Sequence, residues 1–232
     1  MPLIRLDHML SRLGEGTRSE VKKVIRSGVV FLNGASIKSS DIKIDAEIDK
    51  ISINGREIIY KEHIYIMLNK PQGVVSASRD PKVQTVIDLL PAELRRPGLF
   101  PAGRLDKDTE GLLIITDDGD FAHNILAPKK HVNKIYFAIL EELVNEHDIE
   151  SFKSGIVLED GEVCLPASLE IFGNGVRITI REGKYHQIKR MFEVRQNSVK
   201  YLKRIAVGGL WLDENLVSGC VREISSKELL NI

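Results

Sequence analysis

Cysteine is nearly absent: Cys164 and Cys220 are the only two in 232 residues. They stand far apart among ordinary strand and turn residues. That excludes a disulfide scaffold and a thiolate zinc site, and reads as reduced thiols in a cytoplasmic protein. The six histidines are scattered, and no Cys or His pair has metal-ligand spacing, so the expectation is no metal. No GxGxxG or GxxxxGK run is present, so neither a dinucleotide nor a nucleoside triphosphate is implied, and no cofactor is expected. No apolar run approaches the roughly 18 to 20 residues of a membrane helix. Met1-Pro2-Leu3-Ile4-Arg5 leads straight into a charged helical pattern without a secretory signal. Net charge is lacking as well, because 33 basic and 33 acidic residues cancel.

What is there is an ordinary core-forming composition, 43% apolar and 28% charged, with room for one large domain or a small and a medium one. The zero net charge hides an uneven distribution. Residues 1–43 hold eight Lys or Arg against four acids, and residues 177–204 hold nine against two. Residues 141–162 are strongly acidic. Two basic regions and an acidic flank keep a polyanionic partner open despite the neutral total.

Arg5 to Leu13 reads as a short helix with Leu6, Met9, Leu10 and Leu13 on one face. Gly14 and Gly16 interrupt it. Thr17 can cap a second helix, with Glu20 three residues on, in which Val21, Val24 and Ile25 face a core. Arg18, Lys22, Lys23 and Arg26 are left outside, and Gly28 ends the helix. Val29 to Leu32 is a strand, Asn33-Gly34 a two-residue turn, Ile37 the return, and Asn54-Gly55 a second turn. A module of about 60 residues with this plan is either a helical cap with a solvated charged face or an RNA-binding unit. Basic residues clustered on consecutive turns favour the second. The arrangement from Arg5 to Asn54 resembles an S4 domain, a small RNA-binding module. The resemblance implies that Arg5, Arg18, Lys22, Lys23 and Arg26 contact RNA phosphates. The domains expected are residues 1–60, S4-like, and 63–232, catalytic, with 55–63 as linker.

Beyond Ile64 the pattern is of short strands with single helices between them. Strands are expected at Tyr65 to Leu68, Val74 to Ser76, Ile114 to Thr116, Tyr136 to Leu140, Ile156 to Leu158, Leu169 to Ile171, Val176 to Ile180, near Ile205 and at Leu210 to Leu212. Helices are expected from Thr85 to Leu90, Asp120 to Ala127, Asp148 to Lys153 and His186 to Phe192. This predicts an α+β fold with a mixed, largely antiparallel sheet.

The chemistry centres on Gly103-Arg104-Leu105-Asp106, where a polar turn carries a carboxylate into an apolar run. One acid near a turn is often structural. Here Gly103 permits close backbone approach, Arg104 can reach phosphate and Leu105 anchors the loop, so Asp106 can be held ready as nucleophile, base or electrostatic stabiliser. Tyr136 is either a core ring with a satisfied hydroxyl or a stacking partner for a base. Lys134 shares its strand face and could meet a phosphate backbone. Arg181 to Phe192 joins a strand to a helix with basic residues around the helix start. It reads as a solvated basic helix or as a phosphate site, with Lys184, His186, Gln187 and Arg190 as substrate contacts, His186 in a positioning role. Lys189 beside Asp106 would hold that carboxylate ionised. Asp106, Asp108, Asp117 and Asp118 could gather magnesium, but Asp117-Asp118-Gly119 is more simply a tight turn.

Four separated motifs stand in order: Met67-Leu68-Asn69-Lys70-Pro71-Gln72-Gly73, Ala102 to Asp106 continuing to Gly111-Leu112, Lys134-Ile135-Tyr136, and Glu182 to Phe192. With them the chain resembles the ribosomal RNA pseudouridine synthases that carry an S4 domain, specifically the small-subunit branch. The resemblance implies Asp106 as catalytic nucleophile, Tyr136 stacked on a flipped uracil and Lys189 paired with the aspartate. It further implies Ile180 beneath the base, Arg104 at the nucleotide's phosphate or in its vacated space, and the Lys70 turn shaping the site edge. The implied target is uridine 516 of 16S RNA. The implied partner is ribosomal RNA in an assembling small subunit, met by a cytoplasmic monomer with no membrane or DNA partner. An enzyme of the same family acting on 23S RNA, and a non-catalytic ribosome-assembly factor, are the competing readings.

Overall fold

The computed structural model describes residues 3–232; Met1 and Pro2 lie outside the described residues. The chain forms two compact units. One comprises residues up to Ile64 together with Pro91–Leu99, the other Tyr65–Leu90 with Phe100–Ile232. The division therefore departs from a single cut near residue 60, since Pro91–Leu99 groups with the first unit. Arg96 helps hold it there, its guanidinium donating to the carbonyls of Lys61 (2.8 Å) and Glu62 (2.9 Å).

In the first unit, β1 (Ile4–Arg5) runs into α1 (Leu6–Arg12), and α2 (Arg18–Arg26) follows. Then come β2 (Val30–Leu32), β3 (Ala35–Ile37), β4 (Lys43–Ile44), β5 (Ile51–Ile53) and β6 (Arg56–Ile58). Strand β1 pairs β4, and a separate antiparallel sheet has the order β3-β2-β5-β6. Helix α2 starts with a reciprocal capping box. The Glu20 amide donates to Thr17 Oγ1 (3.4 Å), and the Thr17 amide donates to Glu20 Oε2 (2.8 Å). Asn33-Gly34 and Asn54-Gly55 all have positive φ, the geometry that tight hairpins need. Leu6, Met9, Leu10, Val21, Ile25, Val30, Ile44 and Ile51 close the core.

The second unit contains β7 (Tyr65–Lys70), β8 (Phe100–Ala102), β9 (Glu110–Thr116), α3 (Gly119–Leu126), β10 (Lys134–Leu140) and α4 (Glu146–Ser154). It continues with β11 (Ser168–Phe172), β12 (Gly175–Ile180), α5 (Gln187–Val194), β13 (Val199–Val207), β14 (Leu210–Trp211), β15 (Val221–Glu223) and α6 (Ser226–Leu229). The main sheet has the order β11-β12-β10-β13-β9-β7-β15, with β14 on β13 and β8 on β9. Among the described residues, the β13–β9 seam is the one parallel pairing within this sheet. The fold is thus α+β, mixed and largely antiparallel. At the parallel seam Gly111 lies opposite Arg204. Its φ is +103°, and a Cβ there would stand 2.2 Å from the Arg204 carbonyl oxygen, so the seam closes only on glycine.

Local structure differs from expectation where determinants were short. Val74 to Ser76 is not a strand; Val75 makes one isolated bridge to Thr85. Thr85 to Leu90 is a turn rather than a helix, because six residues before Pro91 are too few to repay helix nucleation. The Thr85 amide and hydroxyl instead donate to Asp88 Oδ2, both at 2.8 Å. Ile156 to Leu158 reduces to a bridge between Val157 and Val163. Strand β8 carries Pro101 and pairs on one side only, the position that proline tolerates in a sheet.

Candidate active site

Asp106 lies in the loop between β8 and β9, and that loop is fixed from several sides. Gly103 turns it with φ +96°; a Cβ there would come within 2.9 Å of Leu126 Cδ2. Ser76 Oγ accepts from the Leu105 amide (3.0 Å) and donates to the Leu105 carbonyl (2.9 Å), and the Leu105 side chain is buried. The Thr109 amide donates back to the Asp106 carbonyl at 3.1 Å.

Beneath the loop is Lys70, fully buried at the end of β7. Its Nζ donates to the carbonyls of Pro71 (3.0 Å), Asp106 (3.1 Å) and Thr109 (3.0 Å), with Lys107 at 3.4 Å. Burial pushes this ammonium down to about 8, opposed by the charges of Asp108, Asp106 and Glu110. Lys70 therefore touches the Asp106 loop from inside and is not available to substrate, which corrects its expected place among substrate contacts.

The opposite wall comes from the start of α5. His186 adopts a left-handed conformation (φ 48°) and stacks on Tyr185 with ring centroids 3.8 Å apart. Its Nε2 lies 3.6 Å from Asp106 Oδ1. One turn on, Lys189 Nζ lies 3.5 Å from Asp106 Oδ2 and 2.6 Å from Asp108 Oδ1. The ion pair with Lys189 holds the Asp108 carboxyl below the usual carboxylate range. Strands β10 and β12 supply Tyr136 and Ile180, both buried.

Asp106, Tyr136, Lys189, Arg104, Ile180, Lys184, His186 and Gln187 line one pocket, with Ile188 and Leu202 adding apolar surface. Arg104 is exposed and makes no side-chain hydrogen bond or ion pair among the described residues, so its guanidinium is free for an anion. Gln187 is buried and its amide is committed, accepting from the Lys184 amide (3.1 Å) and donating to Glu182 (2.8 Å). It shapes the wall rather than offering free polar atoms.

Two expected contacts, Lys134 and Arg190, fall elsewhere, and a third, Lys184, is at the pocket but already paired. Lys134 shares the face of Tyr136, as strand alternation requires, but it is buried with Nζ near the Val132 carbonyl (3.4 Å). Burial first, then the Arg204 charge, lowers its affinity for a proton. It lies within the sheet and not at a phosphate. Arg190 is absent from the pocket lining and is tied to Asp160 and to Glu162 (3.4 Å). Lys184 lines the pocket, yet its ammonium pairs with Glu162 (2.8 Å) and Glu182 (3.7 Å). Of the first-unit residues, Arg5 is bound to buried Asp7 (2.9 Å), whereas Arg18, Lys23 and Arg26 are exposed.

Sequence reasoning missed Ser76 and Asp108 as parts of this site. Asp108 enters the sequence reading only as one of the acids weighed for magnesium, and Ser76 gives no signal because its partner is 29 residues away. Among the described residues, no group of three or more His, Cys, Asp or Glu side chains is arranged to hold a metal ion. Asp118 caps α3 and accepts from the Tyr65 hydroxyl at 2.5 Å, a structural use of the acidic turn.

In chemical terms the pocket sets a partly exposed carboxylate against an aromatic wall and an apolar floor, with a free guanidinium at its edge. It suits a planar uncharged ring attached to an anionic backbone. Comparison with known proteins agrees. Residues 64–194 match the family described as RNA pseudouridylate synthase. The chain is 44% identical to the RNA pseudouridine synthase YtzG of Bacillus subtilis, with 97% of each chain covered. It is 38% identical to the ribosomal small subunit pseudouridine synthase A of Haemophilus influenzae, over 97% of this chain and 98% of the other. A crystal structure of a pseudouridylate synthase, 38% identical, superposes with a TM-score of 0.69 over 98% of this chain and 99% of its own.

Proposed function

The chain belongs to the RNA pseudouridylate synthase family, and from that premise we propose that it converts one uridine of small-subunit ribosomal RNA to pseudouridine. As an RNA pseudouridine synthase it is an isomerase. The target proposed is uridine 516 of 16S RNA, supported by relatives named as small-subunit enzymes along the whole chain. The enzyme is read as a cytoplasmic monomer acting on RNA of an assembling subunit. Its N-terminal unit is read as an S4-like module whose basic helix face grips phosphates.

The observation that carries the chemistry is the position of the Asp106 carboxylate, between Lys189 and His186 in the pocket that Tyr136 walls. Uridine joins ribose C1′ to N1 of uracil, and pseudouridine joins the same C1′ to C5. The base leaves its stack, the C–N bond breaks, uracil turns in the pocket and the C–C bond forms, after which C5 gives up its proton and N1 ends protonated. The exchange has no net redox change and needs no external energy source. Asp106 either attacks C1′ or assists departure of uracil by a glycal-like route. Tyr136 stacks on the base and can take a proton from the sugar, Ile180 packs beneath the base, and Arg104 meets the backbone phosphate. The intact set of Asp106, Tyr136 and Lys189 supports an enzyme over a non-catalytic assembly factor.

The test is a map of pseudouridines in both ribosomal RNAs from cells with and without the gene. The strain lacking it should be missing one site in 16S RNA, restored by the wild type and not by Asp106→Asn. Loss of a 23S site instead would select the large-subunit reading. Restoration by the Asp106→Asn variant would remove Asp106 from the mechanism.

A further inference from the structure

Lys189 faces two carboxylates and divides itself unequally. Its Nζ is 2.6 Å from Asp108 Oδ1, a charge-assisted hydrogen bond, but 3.5 Å from Asp106 Oδ2. His186 Nε2 is no closer, at 3.6 Å from Asp106 Oδ1. Asp106 thus has two ionisable side-chain nitrogens within 4 Å, yet its carboxylate accepts no side-chain hydrogen bond of ordinary length among the described residues. Asp108, with its side chain 68% exposed at the rim, takes the short bond instead.

The distinction matters for chemistry. A carboxylate whose lone pairs are engaged by an ammonium is a poorer nucleophile and a poorer base. One with a cation nearby but unbonded keeps its charge and its free electron pairs. We infer that Asp108 is a positioning residue acting through Lys189: it draws the ammonium to the pocket rim and keeps Asp106 from being closed into a hydrogen-bonded ion pair. This rests on the proposed activity for its kinetic readout alone.

The backbone sets Asp108 in that position independently of the ion pair. On one side Lys107 offers its carbonyl to the Gly73 amide (2.8 Å) and to Lys70; on the other the Thr109 amide closes onto Asp106. Two other routes from Asp108 to Asp106 exist. One is direct repulsion between the carboxylates. The other runs through Lys70, whose ammonium is supported by both acids and by Glu110. The inference is specific because it requires Lys189, and a double-mutant cycle separates that route from the other two.

The experiment compares wild type, Asp108→Asn, Lys189→Met and the double variant by single-turnover formation of pseudouridine in a 16S transcript with enzyme in excess. Asp108→Asn should slow the step about tenfold, with the half-saturating enzyme concentration little changed, and in the Lys189→Met background the same substitution should change it less than about twofold. No slowing in the single variant, or equal slowing with and without Lys189, would overturn the inference. A second arm needs no activity: the Asp108 carboxyl carbon is titrated by NMR. Its midpoint should rise toward the usual carboxylate range in Lys189→Met; an unmoved midpoint would show that the pair does not exist in solution and would also overturn it. If wild-type protein forms no pseudouridine, the proposed function fails, and the titration alone decides the arrangement.

Discussion

Lys70 Nζ donates to the main-chain carbonyl of Asp106 at 3.1 Å, while the carboxylate of the same aspartate meets Lys189 and His186 on its other side. A buried cation thus fixes the backbone of the residue whose side chain faces the pocket. Lys70→Met keeps the length of the side chain but strips the donors from the carbonyls of Pro71, Asp106, Lys107 and Thr109. Leaving those oxygens unsatisfied should cost about 1 to 3 kcal/mol in a urea titration, partly offset by removal of a buried charge. The larger effect should fall on kcat, with RNA affinity nearly unchanged. An unaltered kcat would show that the loop holds itself.

The same lysine predicts opposite pH trends for stability and turnover. Burial lowers its pKa from 10.5 to about 8, so between those values the unfolded chain binds more protons than the folded one. Its contribution to stability is therefore complete above pH 10.5 and lost as pH falls through about 8. The clamp needs the ammonium, so the single-turnover rate should decline as pH rises through about 8. The decline should be missing from the profile of Lys70→Met. A limb that persists unchanged in that variant assigns it to another group.

On α2 the prediction concerns salt. Arg18 and Lys23 are exposed, whereas Lys22 lies 3.8 Å from Asp7 and is already partly neutralised. Replacing Arg18, Lys22 and Lys23 by alanine should weaken RNA binding and flatten log affinity against log salt by up to roughly 0.7 to 0.9 per lost phosphate contact. Lys22→Ala alone should flatten it least. Parallel lines for wild type and the triple variant would mean that this face is merely solvated.

What is legible in the sequence is what local chemistry decides. The Thr17–Glu20 box and the Asn33-Gly34 and Asn54-Gly55 turns each depend on residues within a few positions of one another. The largely antiparallel α+β pattern follows from many short apolar runs. The parallel seam between β13 and β9 does not, because Gly111 and Arg204 meet only through the topology. The same holds at the site. Motifs single out Asp106, Tyr136 and Lys189 one at a time. That Arg190 and Lys184 are occupied by Asp160 and Glu162 depends on a turn more than 20 residues away. Lys134 and Lys70 show the limit of charge as a guide: a lysine in a motif reads as a surface cation until burial is known. The Val74 and Thr85 segments depart from expectation because a few β-branched residues or one capping residue cannot fix an element without neighbours to pair or room for a full turn.

Gly111 offers the sharpest structural test, because two independent penalties meet there. Its φ of +103° lies where side chains are strained, and a Cβ would stand 2.2 Å from the Arg204 carbonyl oxygen and 2.8 Å from its amide nitrogen. The obstacle is backbone, which no rotamer change can relieve. Arg204 also anchors the seam through Nε, which donates to the Leu112 carbonyl at 2.8 Å, so a displaced β13 would break that buried bond as well. Gly111→Ala should therefore lower unfolding free energy by at least about 2 kcal/mol, more than strain alone requires, because the seam must also part. Gly161→Ala is the control, having a similar φ of +85° but open space where the Cβ would stand. It should show only the strain. Equal losses for the two in urea titrations would mean that β13 and β9 are not held this close in solution.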